Sequence, residues 1–306
     1  MSHFHHHDHS HGIHSHSESG SIRSAFFLNA FFTIIEIIGG IMTNSMAILS
    51  DAVHDLGDTF ALGMGYYFEK ISDKREDFRY TYGYRRYSPL SAVINATVLT
   101  VGSVLIIAQT VPRLLKPEAV DTEGMLFLAI LGVIVNGVAV FKLSKNKGSA
   151  NHRVMMLHLM EDVLGWVAVL IGSLVMHFYD LPIIDPILSM GIACYVLFNA
   201  LRNIKQIVPI FLQAVPYNIS VNKVKASLEE IKHVLEVHDI HVWSLDGEFN
   251  IITIHVVVDE SLSLEKCFEV KRIVRDHLMT LQIQHATIEI ELSSEHCDIT
   301  EAGSMH

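Results

Sequence analysis

The sequence predicts a membrane protein: an α-helical domain of six transmembrane helices, followed by a cytosolic α+β domain of order αββαβ. Three observations carry this. Half of the 306 residues are hydrophobic and only 18% are charged, against about 25% charged in ordinary soluble domains. The apolar excess is confined to long runs between residues 25 and 201, and from about residue 208 the composition is that of a soluble domain. Lysine and arginine gather in alternate connections between the runs. The expected organisation is a disordered His-rich tail over 1–20, a membrane domain over 21–207, a cytosolic domain over 208–292 and a C-terminal tail over 293–306.

The tail, HFHHHDHSHGIHSHSESG, holds eight of the chain's 20 histidines. Polar low-complexity sequence of this kind buries too little to order itself. Interleaved imidazoles suit it to collecting metal ions weakly and exchangeably.

Six runs reach the ~20 residues that a spanning helix needs: about 25–43, 46–68, 89–112, 123–142, 154–177 and 183–203. The third and fourth have no charge over 89–112 and 124–141. Soluble core helices keep a polar face, and these do not. Lys70, Lys74, Arg75, Arg79, Arg85 and Arg86 follow the second run, and Lys142, Lys145, Lys147 and Arg153 follow the fourth, whereas the opposite loops hold only Arg113 and Lys116. By the positive-inside rule both termini are cytoplasmic, and no cleavable signal peptide is expected.

The second and fifth runs break the apolar pattern. MAILSDAVHDLGDTFALGMGYY contains Asp51, His54, Asp55 and Asp58; LHLMEDVLGWVAVLIGSLVM contains His158, Glu161 and Asp162. A charge at the bilayer centre costs about 2.5–3.5 kcal/mol on insertion scales. A single His or Asp in a span is often a packing hydrogen bond, but here an HxxxD turn occurs twice. Residues four apart lie one above the other on a helix face. Two such faces together supply two imidazole nitrogens and two carboxylate oxygens, a tetrahedral set for Zn²⁺. Metal binding requires deprotonated ligands, and histidine titrates in the physiological range, so a site open alternately to each side would exchange Zn²⁺ for H⁺. Asp51 falls near the His54 face and suits a role orienting its imidazole; Asp55 and Glu161 fall on other faces and are not assigned as ligands.

In the soluble part, VNKVKASLEEIKHVLEV reads as a helix with Ser220 or Asn222 as its cap. IHVWSLDGEF and NIITIHVVVD read as strands around a DG turn, LEKCFEVKRIVRDHLM as a second amphipathic helix and HATIEIEL as a last strand. Residues 217–306 hold 16 acidic and seven basic residues, a net −9 of the chain's −11. Such a field attracts cations and excludes nucleic acid as a partner. Cys194, Cys267 and Cys297 form no CxxC pair, and no disulfide framework is expected. Cys297, with His296 and Asp298, is a further ligand candidate.

These stretches resemble the cation diffusion facilitators, specifically their zinc and cobalt–zinc–cadmium efflux branch. SDAVHDLGDTFALG and HLMEDVLGWVAVLIG are similar to that family's second and fifth helices. YGYRRYSPLSAVINATVL with the later RLLKPEAV, KGSANHRVMMLHLMED, and VHDIHVWSLDGEFNIITIHVVVD resemble its third helix and exit, its entry to the fifth helix and its cytosolic signature. The resemblance covers nearly all of the chain after the tail. It implies a homodimer in a bacterial inner membrane with a metallochaperone-like cytosolic domain. It implies proton-coupled export of Zn²⁺, with Cd²⁺ or Co²⁺ as further cargo, through His54, Asp58, His158 and Asp162. Histidine at the first position of both turns goes with zinc preference in that family. It also places regulatory metal at His238, His255 and His285, and requires no cofactor. Where the family carries a Glu after the basic residue entering helix three, this chain reads Arg86, Tyr87, Ser88, Pro89; Gln109 stands where another Glu is common, and Trp166 where a small residue is usual. The His-rich loop that relatives carry between helices four and five is absent, and KLSKNKGSAN stands there.

Other function classes fit less well. A metal-gated channel wants weak, multi-site binding rather than a tight central site. A metallohydrolase needs an open coordination position and a general base, and HEXXH is absent. A membrane metal sensor without proton coupling would bind the ion without flux.

Overall fold

The computed structural model describes residues 15–74, 76–144 and 150–294. The expected tail over 1–14, the loop at 145–149 and the Cys297 group lie outside them. Six long helices come first: α1 (Ser15–Thr43), α2 (Met46–Ser72), α3 (Tyr87–Leu115), α4 (Thr122–Ser144), α5 (Ala150–Tyr179) and α6 (Ile184–Phe211). Five of them, all but α2, are long and apolar enough to cross a membrane. The polar residues of the HDLGD stretch set α2 apart. α1 reaches back to Ser15, inside the stretch expected as tail, because a helix already nucleated by an apolar run extends cheaply by one bond per residue.

Two compact units emerge. One gathers Ile94–Arg202 with the chain up to Tyr67; the other gathers Phe68–Val93 with the chain from Asn203 onward. In the first, Phe32, Ile48, Met125, Trp166 and Val169 form a buried cluster. Trp166 is 1% exposed and packs edge-on to Phe32 at 5.8 Å. A Cβ on Gly132 would collide with its indole, so the glycine of α4 makes room for the large side chain that α5 carries at that point. Leu105, Phe127 and Phe198 face outward, as helices bathed in hydrocarbon require. The first turn of α2 is fixed by Asp185 of α6. Its buried carboxylate accepts from the Ser45 hydroxyl at 2.6 Å and from the amides of Met46 and Ala47 at 2.8 and 3.1 Å. These amides have no partner within the helix, and an anion at a helix N-terminus is favoured.

In the second unit, α7 (Val221–Glu229), β1 (Val234–Ser244), β2 (Asn250–Val258), α8 (Leu264–Thr280) and β3 (His285–Leu292) follow in that order. The sheet order is β1-β2-β3, with β1–β2 antiparallel and β2–β3 parallel. Val224 and Leu228 of α7, and Val270, Val274 and Leu278 of α8, pack on Val237, Ile252, Ile254, Val256 and Ile288. The helix expected to run through VLEV ends early and β1 begins at Val234 instead. His233, at φ 73°, terminates the turn; β-branched Val234 and Val237 favour a strand, and an irregularity between Val234 and Glu236 lets both face the core. Ser220 stands at the α7 N-cap without a side-chain bond.

Candidate metal centres

α2 presents His54 and Asp58 one turn apart, and α5 brings Asp162 to them. His54 Nε2 lies 3.7 Å from Asp58 Oδ2 and 3.6 Å from Asp162 Oδ1. One ligand atom from each of the three falls within 4.8 Å of the others. Ligands held at 2.0–2.1 Å around a tetrahedral ion stand about 3.3 Å apart, so His54 Nε2 is within a few tenths of an ångström of ligand spacing to each carboxylate. His158 lies on α5 four residues before Asp162; its side chain lies outside the described residues.

Behind this cluster are three further acids. Asp51 and Asp55 are each 5% exposed, and Glu36 of α1 is wholly buried beside Asp55. Asp51 Oδ1 faces Gly165 of α5, and a Cβ there would stand 3.5 Å away, at ordinary van der Waals distance. Asn29 of α1 donates to the Asp55 carbonyl at 3.2 Å and to Thr59 at 2.9 Å, which braces α2 at the residue following each of its two ligands. Glu161 points elsewhere and accepts from the Tyr195 hydroxyl at 2.9 Å. Sequence reasoning passed over Glu36. Its signal was a carboxylate inside an otherwise apolar first run.

The second cluster lies on the sheet face that carries no helix. Along β2 the even residues Ile252, Ile254 and Val256 enter the core, so His255 points the other way. His238 of β1 stands opposite it, and the rings are 5.4 Å apart. The third member is Glu291 of β3, bridging both imidazoles: Oε1 is 2.6 Å from His255 Nδ1, and Oε2 is 3.1 Å from His238 Nε2. All three side chains are 11–14% exposed. The His238 nitrogens make no aligned hydrogen bond despite that proximity, which leaves them available to a cation. Asp239 and Glu289 approach His255 Nε2, each at 3.5 Å. Asp239 sits at φ 48° within the β1 irregularity between His238 and His241, which turns its carboxylate onto this face.

His285 is not in this cluster. It opens β3 opposite Ile251, six residues before Glu291, and its ring rests edge-on to Tyr82 at 5.6 Å. His241 is exposed and pairs with Asp239 at 2.9 Å. The signal for Glu291 lay in HATIEIEL, whose alternation sends Glu289 and Glu291 to one face and Ile288 and Ile290 to the other.

Comparison with known proteins identifies the family. Residues 22–212 match the family model described as the cation efflux transmembrane domain, and residues 216–293 the one described as the cation efflux protein cytoplasmic domain. The chain is 31% identical over 277 residues to the cadmium, cobalt and zinc/H(+)-K(+) antiporter of Bacillus subtilis, covering 90% of this chain and 89% of that one. It is 31% identical over 286 residues to the metal cation efflux system protein CzcD of Cupriavidus metallidurans, covering 92% and 89%. To the zinc transporter ZitB of Escherichia coli it is 32% identical over 292 residues, covering 92% and 91%. The chain is therefore an integral membrane protein of the cation efflux (cation diffusion facilitator) family, whose members are transporters and not enzymes.

Proposed function

We propose that the chain exports Zn²⁺, with Cd²⁺ and Co²⁺ as further cargo, from the cytoplasm in exchange for H⁺. The observation that carries the reading is the convergence of His54, Asp58 and Asp162 from two helices onto one spot in the membrane domain. His158, on the same helix as Asp162, completes a two-His, two-Asp set. The printed functions of the relatives, cadmium–cobalt–zinc antiport and zinc transport, point the same way. α2 serves as a sixth span, its polar residues sheltered against α1 and α5 rather than turned to lipid.

The cycle follows from the donors. Facing the cytoplasm, deprotonated His and Asp side chains take the ion. Facing outward, where protons are more plentiful, the same side chains exchange it for H⁺. The cytosolic domain, read as metallochaperone-like, binds metal at His238, His255 and Glu291, and through it regulates a homodimer. The protein sits in a bacterial inner membrane with both termini cytoplasmic.

The test is zinc uptake into inside-out proteoliposomes with and without a proton gradient, comparing wild type with Asp58→Ala and Asp162→Ala. Gradient-dependent uptake that both variants lose is the expected result. Uptake that survives in the variants, or that ignores the gradient, refutes the reading.

A further inference from the structure

The connection between α2 and α3 contains a basic and aromatic stretch, YTYGYRRYS, that metal transport leaves unused. In the second unit it folds over a cavity of about 410 Å³ lined by Arg79, Arg85 and Arg86 together with Tyr80, Tyr84 and Trp243. No carboxylate lines this cavity. Asp77, the acid of the same loop, is already engaged: the Tyr84 hydroxyl donates to it at 2.6 Å, and the amides of Arg79 and Tyr80 at 2.8 and 2.7 Å.

The three arginines are not equally free. Arg85 reaches Asp246 at 3.3 Å and lies over the Phe249 ring at 4.6 Å. Arg79 is exposed and lies over Tyr80 at 5.7 Å. Arg86 is half-buried, and among the described residues its guanidinium makes no ion pair or hydrogen bond. A partly desolvated guanidinium without a counter-charge is unfavourable. Its planar fork matches phosphate oxygens bidentately. The volume is within the 300–1,000 Å³ range of small-ligand pockets.

Position then narrows the ligand. The cavity is built on the residues that lead directly into α3, whose Tyr87–Leu115 stretch is a candidate span. Basic residues beside a span collect anionic headgroups, and tyrosines settle at that depth. We propose that this cavity binds a phosphate ester, that Arg86 is its principal ligand with Arg79 in support, and that the ester is the headgroup of an anionic phospholipid.

The experiment uses the full chain, delipidated in detergent, and native mass spectrometry with added phosphatidylglycerol, phosphatidylcholine or soluble glycerol 1-phosphate. Wild type retains phosphatidylglycerol in preference to phosphatidylcholine. Arg86→Gln weakens that binding about tenfold, the loss expected for one charge-assisted contact to phosphate. Arg86→Lys falls between, since it keeps the charge and loses the fork, and it remains informative should the glutamine variant not fold. Lys232→Gln, a surface lysine of the same domain, binds as wild type. Equal retention of phosphatidylglycerol by wild type and both Arg86 variants overturns the site. So does a matching loss in Lys232→Gln. Glycerol 1-phosphate binding as tightly as the lipid, with the same Arg86 dependence, overturns the lipid source in favour of a soluble ester.

Discussion

Replacing Glu291 by glutamine separates the cytosolic centre seen in the structure from the one centred on His285. Glutamine keeps the volume and one acceptor oxygen. It removes the charge that bridges His238 and His255 at 3.1 and 2.6 Å. Loss even of a residue that only supports a metal ligand costs 10–100-fold in affinity, and loss of a ligand belongs at the upper end, about 100-fold. At a zinc concentration 100 times the wild-type Kd, binding stabilises the folded domain by about 2.7 kcal/mol; after a 100-fold loss the same zinc supplies about 0.4 kcal/mol. The difference of about 2.3 kcal/mol corresponds to roughly 9–18 °C of zinc-induced rise in Tm for a domain of this size. The assay is thermal unfolding of the full chain in detergent, followed by Trp243 fluorescence, with zinc and with chelator. His285→Ala, whose ring lies against Tyr82, should respond to zinc as wild type does. A full zinc response in Glu291→Gln, or a lost one in His285→Ala, refutes the assignment.

Gly132→Ala places a methyl against the Trp166 indole; overpacking of this kind costs about 1–3 kcal/mol, and Trp166→Phe in the same chain should recover part of it, read as Tm in detergent. Asp185→Ala removes the acceptor for Ser45 and two α2 amides and should cost about 2 kcal/mol or more, with faster hydrogen exchange at Met46 and Ala47 as the local signature; unchanged exchange there would refute the anchoring. In the α2–α3 connection, the Tyr84 hydroxyl foremost, and then the Tyr80 and Arg79 amides, hold Asp77 below its usual carboxylate value, and the same bond pushes Tyr84 up to about 12. The Asp77 contribution is therefore present above the ordinary carboxylate value of 3.8 and is lost as pH falls through the lower folded value. The Tyr84 contribution is present below the ordinary 10.0 and is lost as pH rises through about 12. The Tyr84 ring signals in NMR should stay nearly constant through about pH 10 and move only as pH approaches about 12, and titration of that ring near its ordinary 10.0 would refute the bond.

The membrane helices were legible because their signal is additive: twenty apolar residues in a row admit few other structures. Residues 285–292 were read as the last strand, and β3 spans His285–Leu292, because strict alternation fixes both period and face. The boundary between α7 and β1 was not legible. VLEV satisfies a helix as readily as a strand, and the left-handed turn at His233 that decides between them leaves no local mark in the sequence. The His54–Asp58 proximity followed from helix spacing alone. The approach of Asp162 did not, since it depends on how α5 packs against α2. Glu291 escaped for a related reason. Its alternation was visible, but its neighbours across the sheet depend on the parallel register of β2 and β3, which no stretch of sequence encodes by itself. His285 drew attention as a histidine, whereas the side chain that meets His238 and His255 is the Glu291 carboxylate.

The sheet face that carries no helix has a consequence for how the cytosolic domain meets metal. Its apolar interior, from Val224 to Ile288, is closed on the opposite side without help from any imidazole. Zinc fingers collapse when a chelator strips them, because the ion is their core. Here the chain's own packing holds the strands in register, and Glu291 occupies the gap between the two rings when no cation does. On the proposed function, loading and unloading become reversible events on a scaffold that persists through both, which is what a domain must offer if it is to follow a fluctuating ion concentration rather than be built by it.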